Sequence, residues 1–243
     1  MRADLECRTP ELTFALFDPA VLRSASDLSR NGVERECSAG NILLIDTDEP
    51  GCSCRLLLGE EMDPEVTARA EKIAEHVLLR VPVGRIVLTT RKQVRTVAKQ
   101  GSFRADAMIP AGTYLLDAYS IDTDPPPDYF RTTLGLEEYA RWHTGCKAQV
   151  AGCFMGILAI AILAVAAGVG IAGLPWLGLA LGVLGAVAFN WRWSPSQRRV
   201  RAAYASAKES WERKFPSGVL DLRRQPDGMD LTGCKGAKVY FPT

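Results

Sequence analysis

The sequence has little histidine: His76 and His143 are the two in 243 residues. Neither sits in a metal or catalytic motif. There is no HExxH, no glycine-rich phosphate loop closing on Lys-Ser/Thr and no GxSxG elbow. Charge is missing altogether from Ala148 through Trp191, the stretch between Lys147 and Arg192. Such a run excludes a simple soluble globule. It also excludes a disordered chain, which could not carry this much apolar sequence. The opening MRADLECRTPE lacks an apolar core, so no secretory signal peptide is read there. The apolar run is then expected to act as its own insertion signal.

The formal net charge of +1 cancels unlike parts. Residues 1–147 carry 18 Lys and Arg against 23 Asp and Glu, and residues 192–243 carry 11 against 5. Neither part is basic in the organised way that nucleic acid requires, and no nucleic-acid partner is expected. A basic segment beside a bilayer is drawn to anionic headgroups, so a lipid bilayer is the first expected partner.

As one helix the 44 uncharged residues would extend about 66 Å at ~1.5 Å per residue. The hydrocarbon core is only ~30 Å thick, so two antiparallel helices fit better than one. Gly168, Gly170, Gly173 and Pro175 mark the break. The spans are read as 150–170 and 174–191, a transmembrane hairpin over 150–191. Arg131, Arg141 and Lys147 precede it, while Arg192, Arg198, Arg199, Arg201 and Lys208 follow. The turn carries no Lys or Arg. Both termini are therefore expected in the cytoplasm, with the protein integral to a membrane, a bacterial inner membrane by its Ala, Gly, Leu and Arg bias. Trp176 suits the far interface, and Trp191 and Trp193 the near one. The alternative is a buried hairpin inside a soluble protein.

Gly152, Gly156, Ala164 and Gly168 form one small-residue ridge, and Gly178, Gly182 and Ala186 a second. Such ridges let helix backbones approach closely. They serve either packing of the hairpin on itself or a homo-oligomer. No Asp, Glu, Lys, Arg or His lies inside either span, which argues against a transporter acting alone.

Residues 1–125 read as a mostly-β cytoplasmic domain, sandwich-like. Gly40-Asn41-Ile42-Leu43-Leu44, Gly84-Arg85-Ile86-Val87-Leu88 and Gly112-Thr113-Tyr114-Leu115-Leu116 repeat one phrase, a glycine and a polar residue before three large apolar ones. Proline-containing turns precede two of them, which is the chemistry of turn into strand. One helix is expected inside the domain. It is capped by Asp63, starts at Pro64 and carries Val66, Ala70, Ile73 and Val77 on one face. The segment from His76 to Val81 is alternatively extended. Asp124-Pro125-Pro126-Pro127-Asp128 is a stiff break. Residues 126–149 then form a linker and juxtamembrane helix.

In 192–243, Ser194-Pro195 opens a basic amphipathic helix with Val200, Tyr204, Ala207 and Trp211 on one face. It either lies on the membrane surface or docks on the acidic domain. Val219–Leu222 and Ala237–Phe241 read as strands, with Pro226-Asp227-Gly228 turning between them. So short a pair is expected to complete the sheet of the first domain.

Seven cysteines, one of them inside the apolar run, favour thiols over a disulfide framework. Cys52-Ser53-Cys54 lacks a second pair at zinc-like spacing. Asp46/Asp48 and Asp122/Asp124 are paired carboxylates that read more simply as turns than as a cation site. No cofactor, no metal and no active site is expected. The whole is an α+β membrane protein.

The functional expectation is a membrane-anchored, non-catalytic binding protein whose β domain recognises a protein partner. Asp46, Asp48, Glu49, Glu60 and Glu61 would offer an acidic face to a basic one, and Gly152, Gly156, Gly178 and Gly182 would pack the helices. Bacterial toxin-immunity proteins and membrane regulators share this architecture, an analogy that rests on no motif. The alternative is an oligomeric membrane effector or channel subunit gated by its cytoplasmic domain.

Overall fold

A computed structural model describes residues 1–22, 29–48, 50–100, 105–169, 174–191, 195–226 and 234–241. The fold is mixed, with two five-stranded sheets and helices. In chain order the elements are β1 Arg2–Cys7, β2 Thr13–Phe17, α1 Pro19–Leu22, α2 Arg30–Ser38, β3 Ile42–Thr47, β4 Cys52–Leu58, α3 Pro64–Thr67, β5 Ala70–Val81, β6 Arg85–Thr90, α4 Val94–Gln100, β7 Ala105–Met108 and β8 Gly112–Ile121. There follow α5 Tyr129–Leu134, α6 Leu136–Val169, α7 Leu174–Trp191, α8 Pro195–Lys214, β9 Gly218–Arg224 and β10 Lys238–Phe241. The chain divides into two compact units, one of residues 1–123 with 214–243 and one of residues 124–213.

In the first unit one sheet has the order β1-β4-β9-β8-β5 and the other β10-β3-β2-β6-β7. Alternation along the strands builds the layers. Cys52, Cys54 and Leu56 of β4 point into a core shared by both sheets, with Tyr114 and Leu116 of β8 and Leu220 and Leu222 of β9. Phe14 and Leu16 of β2 reach the same core, whereas Ala15 and Phe17 face the other way. There they meet Leu22, Val33, Cys37, Val94 and Val97 from α1, α2 and α4. Residues 14–17 are buried on both faces, which is why this strand reads as an unbroken apolar run. All three Gly-initiated phrases become strands, β3, β6 and β8. Gly40 ends α2 at φ +75°, where a Cβ would lie 2.7 Å from Leu78 Cγ.

Several expectations change here. The single helix expected over residues 63–77 is one turn, α3, with Asp63 accepting from the Glu65 N–H at 2.9 Å. The chain then runs extended as β5. Pairing with β8 slips between Lys72 and Ala74 and again between Ala74 and Val77. These bulges break the period of two, so Ile73, Ala74 and Val77 reach the core at spacing that imitates a helix. The helices that do cover the sheet, α1, α2 and α4, bury only one or two large apolar residues each, too few for a periodic signal.

The two C-terminal strands join different sheets. β9 lies between β4, to which it is parallel, and β8. β10 is an edge strand parallel to β3. Of the expected turn between them, Asp227 and Gly228 lie outside the described residues.

In the second unit α6 is one unbroken helix of 34 residues, so no boundary separates a juxtamembrane helix from a span near residue 150. Over Leu136–Val165 it is long and apolar enough to cross a membrane. The apolar stretch of α7, Pro175–Asn190, is shorter, so among the described residues one helix meets that measure where two spans were expected. Gly170 and Gly173 of the expected turn, and Trp193 beyond it, lie outside the described residues. Within the second unit, helix α8 turns its apolar face onto aromatic side chains of α5 and α6. Tyr204 stacks on Trp142 at 4.1 Å and 8° and on Phe130 at 4.5 Å. Trp211 packs on Tyr129 at 4.4 Å.

Candidate functional site

The acidic residues singled out from the sequence do not form one face. Asp46, near the end of β3, is ion-paired to Lys238 of β10. Asp48 accepts a hydrogen bond from the Tyr240 hydroxyl, which holds that phenol above its ordinary pKa. Glu60 lies past the far end of β4 and pairs with the Met1 ammonium at 2.7 Å, and Glu61 is exposed beside it. The seven residues of β4 separate the two pairs by ~20 Å at ~3.3 Å per residue. Glu49 lies outside the described residues.

The paired carboxylates behave similarly. Asp122 lies 3.6 Å from Arg69, and its N–H donates to the Arg69 carbonyl at 3.1 Å. Among the described residues no group of three or more His, Cys, Asp or Glu is placed to hold a metal ion. Cys52 and Cys54 are both buried, since residues two apart on a strand share a face. Cys7 sits opposite Cys52 in register. The hydrogen bond with Cys54 and burial push the Cys52 thiol well above its ordinary pKa. A thiol kept protonated is a poor ligand and a poor nucleophile.

Among the described residues, sequence reasoning missed one concentrated polar constellation. Asp117 is 2 % exposed on β8, one strand in from the β5 edge of its sheet. Its carboxylate accepts from Lys72 Nζ at 2.9 Å, from the His76 backbone N–H at 3.0 Å and from the Arg223 guanidinium. His76 sits at φ +52°, on the bulged part of β5. Burial raises the Asp117 pKa, but the Lys72 hydrogen bond, the His76 N–H and the Arg223 charge outweigh it, and the carboxyl lies below its ordinary value. A carboxylate engaged by three donors is a clamp on the β5 bulge rather than a general base. The available signal was an acid placed inside the apolar strand Tyr114-Leu115-Leu116-Asp117-Ala118-Tyr119.

A second buried carboxylate, Asp18, accepts from Ala20 N at 2.9 Å, Val83 N at 2.8 Å and Gly84 N at 3.1 Å. Arg55, 3 % exposed, donates to Asp4 at 2.6 Å and to the Lys214 carbonyl that ends α8 at 3.1 Å. A cation at a helix C-terminus satisfies its free carbonyls.

In the second unit, a Cβ at Gly152 would lie 2.7 Å from the Gly185 carbonyl oxygen and 2.8 Å from Phe189 N. One at Gly178 would meet Leu163 at 2.9 Å, and one at Gly182 would touch Ala159 at 3.7 Å. These three glycines face the companion helix of the same chain. Gly156 differs, with nothing within 4 Å of its Cβ position. Around this seam the outward faces are bare hydrocarbon. Phe154 is 69 % exposed, Ile160 70 % and Trp176 74 %, and only 11 % of the most apolar α6 window is buried. No family model, curated protein or solved structure matches this chain.

Proposed function

We propose that the protein is a membrane-anchored, non-catalytic binding protein, with α6 and α7 as a returning transmembrane hairpin and the two-sheet unit as a cytoplasmic recognition domain. The observation that carries this is the exposure of the large apolar side chains on both helices. Water around Phe154, Ile157, Ile160, Trp176 and Val187 would be strongly unfavourable, at ~25 cal/mol per Å² of apolar surface. A hairpin buried in a soluble core would have these residues covered. Lipid satisfies them directly.

Strand β9 supports the return crossing. It is hydrogen-bonded between β4 and β8, so the chain before α6 and the chain after α7 build one sheet. An α6 that crosses must therefore be followed by a second crossing, and the 18 residues of α7 reach ~27 Å at ~1.5 Å per residue. The Lys and Arg bias around 131–147 and 192–208 favours the cytoplasm for the shared side.

The non-catalytic reading rests on the clamp-like engagement of Asp18 and Asp117 and the protonated state of Cys52. A protein partner with a basic surface would meet either acidic end, Asp46 and Asp48 or Glu60 and Glu61. A bacterial toxin-immunity or regulatory role fits this architecture. The competing reading, an oligomeric effector, keeps Gly156 as its open small-residue position.

The test is alkaline extraction of membranes followed by pull-down of the full-length chain in mild detergent. The chain stays in the pellet at high pH and captures a defined partner, and E60K/E61K or D46K/D48K weakens capture by tenfold or more. Release into the supernatant at high pH would refute the anchor.

A further inference from the structure

From Tyr139 to Lys208 the chain runs seventy residues without an Asp or Glu. Its seven cations are confined to the two ends of that interval, outside the charge-free run. The fold brings the two ends together inside the second unit. Gln197 of α8 donates to the Arg141 carbonyl of α6 at 3.3 Å. Gly145 lies under Gln197, where a Cβ would be 2.7 Å from its Oε1. Trp142 stacks on Tyr204. The first turns of α8 therefore run beside residues 141–145 of α6, one to two turns before the bare apolar face begins at Val150.

Lys147, Arg198 and Arg199 are exposed at this level. Three carboxylates of α6 and α8 are paired further along. Glu137 pairs with Arg141, Glu209 with Arg213 and Glu212 with Lys208. The apolar face of α8 is also spent: Val200 is 4 % exposed, Ala207 5 % and Trp211 8 %. Helix α8 thus has no hydrophobic face left to insert into lipid, and any hold it takes on a membrane surface is electrostatic.

We infer that the membrane-proximal turns of α6 and α8 form a collar that selects anionic phospholipid headgroups, with Lys147, Arg198 and Arg199 as phosphate contacts. This rests on the hairpin reading above and names the lipid class that reading leaves open. Ammonium and guanidinium groups bind phosphate through charge-assisted hydrogen bonds. Each cation near an anionic surface strengthens the attraction about fivefold at moderate salt.

The experiment uses the full-length protein in nonionic detergent, with phosphatidylglycerol or phosphatidylcholine of the same chains added. Thermal unfolding midpoints and native mass spectra are read. Phosphatidylglycerol raises the midpoint and remains bound, and phosphatidylcholine does neither. K147Q/R198Q/R199Q loses the preference by tenfold or more, K147R/R198K/R199K retains it, and added salt weakens it. Equal responses to the two lipids, or a preference undiminished in the Gln variant, would overturn the collar. A midpoint shift reproduced by inorganic phosphate alone would overturn the headgroup assignment in favour of a soluble anion. Alkaline extraction separates the two readings. A chain that leaves the membrane pellet refutes the anchor, whereas one that stays without preferring phosphatidylglycerol refutes the collar alone.

Discussion

The Asp18 carboxylate holds the backbone N–H of Gly84 at 3.1 Å, joining residues 66 apart in sequence. It also takes Val83 N and caps α1 at Ala20 N, so one buried side chain fixes both a helix start and the turn between β5 and β6. Gly84 cannot be replaced there. It sits at φ +84°, and a Cβ would collide with the Ile109 carbonyl oxygen.

Removing that carboxylate strands three donors, two of them in the β5–β6 turn. Asp18→Ala is expected to destabilise the protein by about 2–4 kcal/mol, the range for buried polar groups left without partners. Urea unfolding of the full-length chain in detergent, followed by far-UV circular dichroism, measures this. A change under about 0.5 kcal/mol would remove Asp18 from the structural account.

Asp117 gives a pH dependence of known sign. Its carboxyl lies below the ordinary aspartate value of about 3.9, so its contribution is fully present above that pH. It is lost as pH falls through the lower value of the folded protein. Asp117→Asn is expected to cost about 2–4 kcal/mol near pH 7. The gap to the wild type should be flat above about pH 5 and should narrow below about pH 4. Urea midpoints from pH 7 to pH 3 test this. A gap that widens on acidification contradicts the assigned clamp.

The cysteines test burial and the proposed membrane anchor together. Cys52 and Cys54 are buried in the core, and the Cys52 thiol is held protonated. Neither should react with iodoacetamide until the protein unfolds. Cys153 is exposed on α6. In membranes a charged maleimide should not reach it, while in urea with detergent it should react. Rapid labelling of Cys153 by the charged reagent in intact membranes would mean that this face meets water.

Gly152 and Gly156 separate packing within the chain from assembly between chains. Gly152→Leu drives a side chain into the Gly185 and Phe189 backbone. It should cost about 2–3 kcal/mol or more, because overpacking at a backbone contact cannot relax easily. Gly156→Leu meets open space and should leave stability unchanged or slightly raised by helix propensity. Light scattering in detergent supplies the second readout. A fall in oligomer mass with Gly156→Leu favours the effector reading; unchanged mass favours a hairpin that packs on itself.

Local signals made part of this molecule legible. The charge-free run marked α6 and α7, because an uninterrupted apolar stretch needs no partner to be recognised. Glycine and proline turns located β3, β6 and β8, since a positive φ or a preset one is a property of one or two residues. The Asp63-Pro64 start of α3 and the start of α8 near Pro195 were visible for the same reason.

Tertiary structure decided the rest. Whether residues 70–81 are helix or strand depended on pairing with β8, and two bulges disguised the period. The insertion of β9 between β4 and β8 joins segments more than ninety residues apart, which no window of sequence can register. The acidic residues looked like one face because they are near in sequence, yet β4 carries them to opposite ends. Asp117 and Asp18 found their donors only through folding. Propensity and turn chemistry act over a few residues, whereas strand order and buried charge are set by which distant partners satisfy one another.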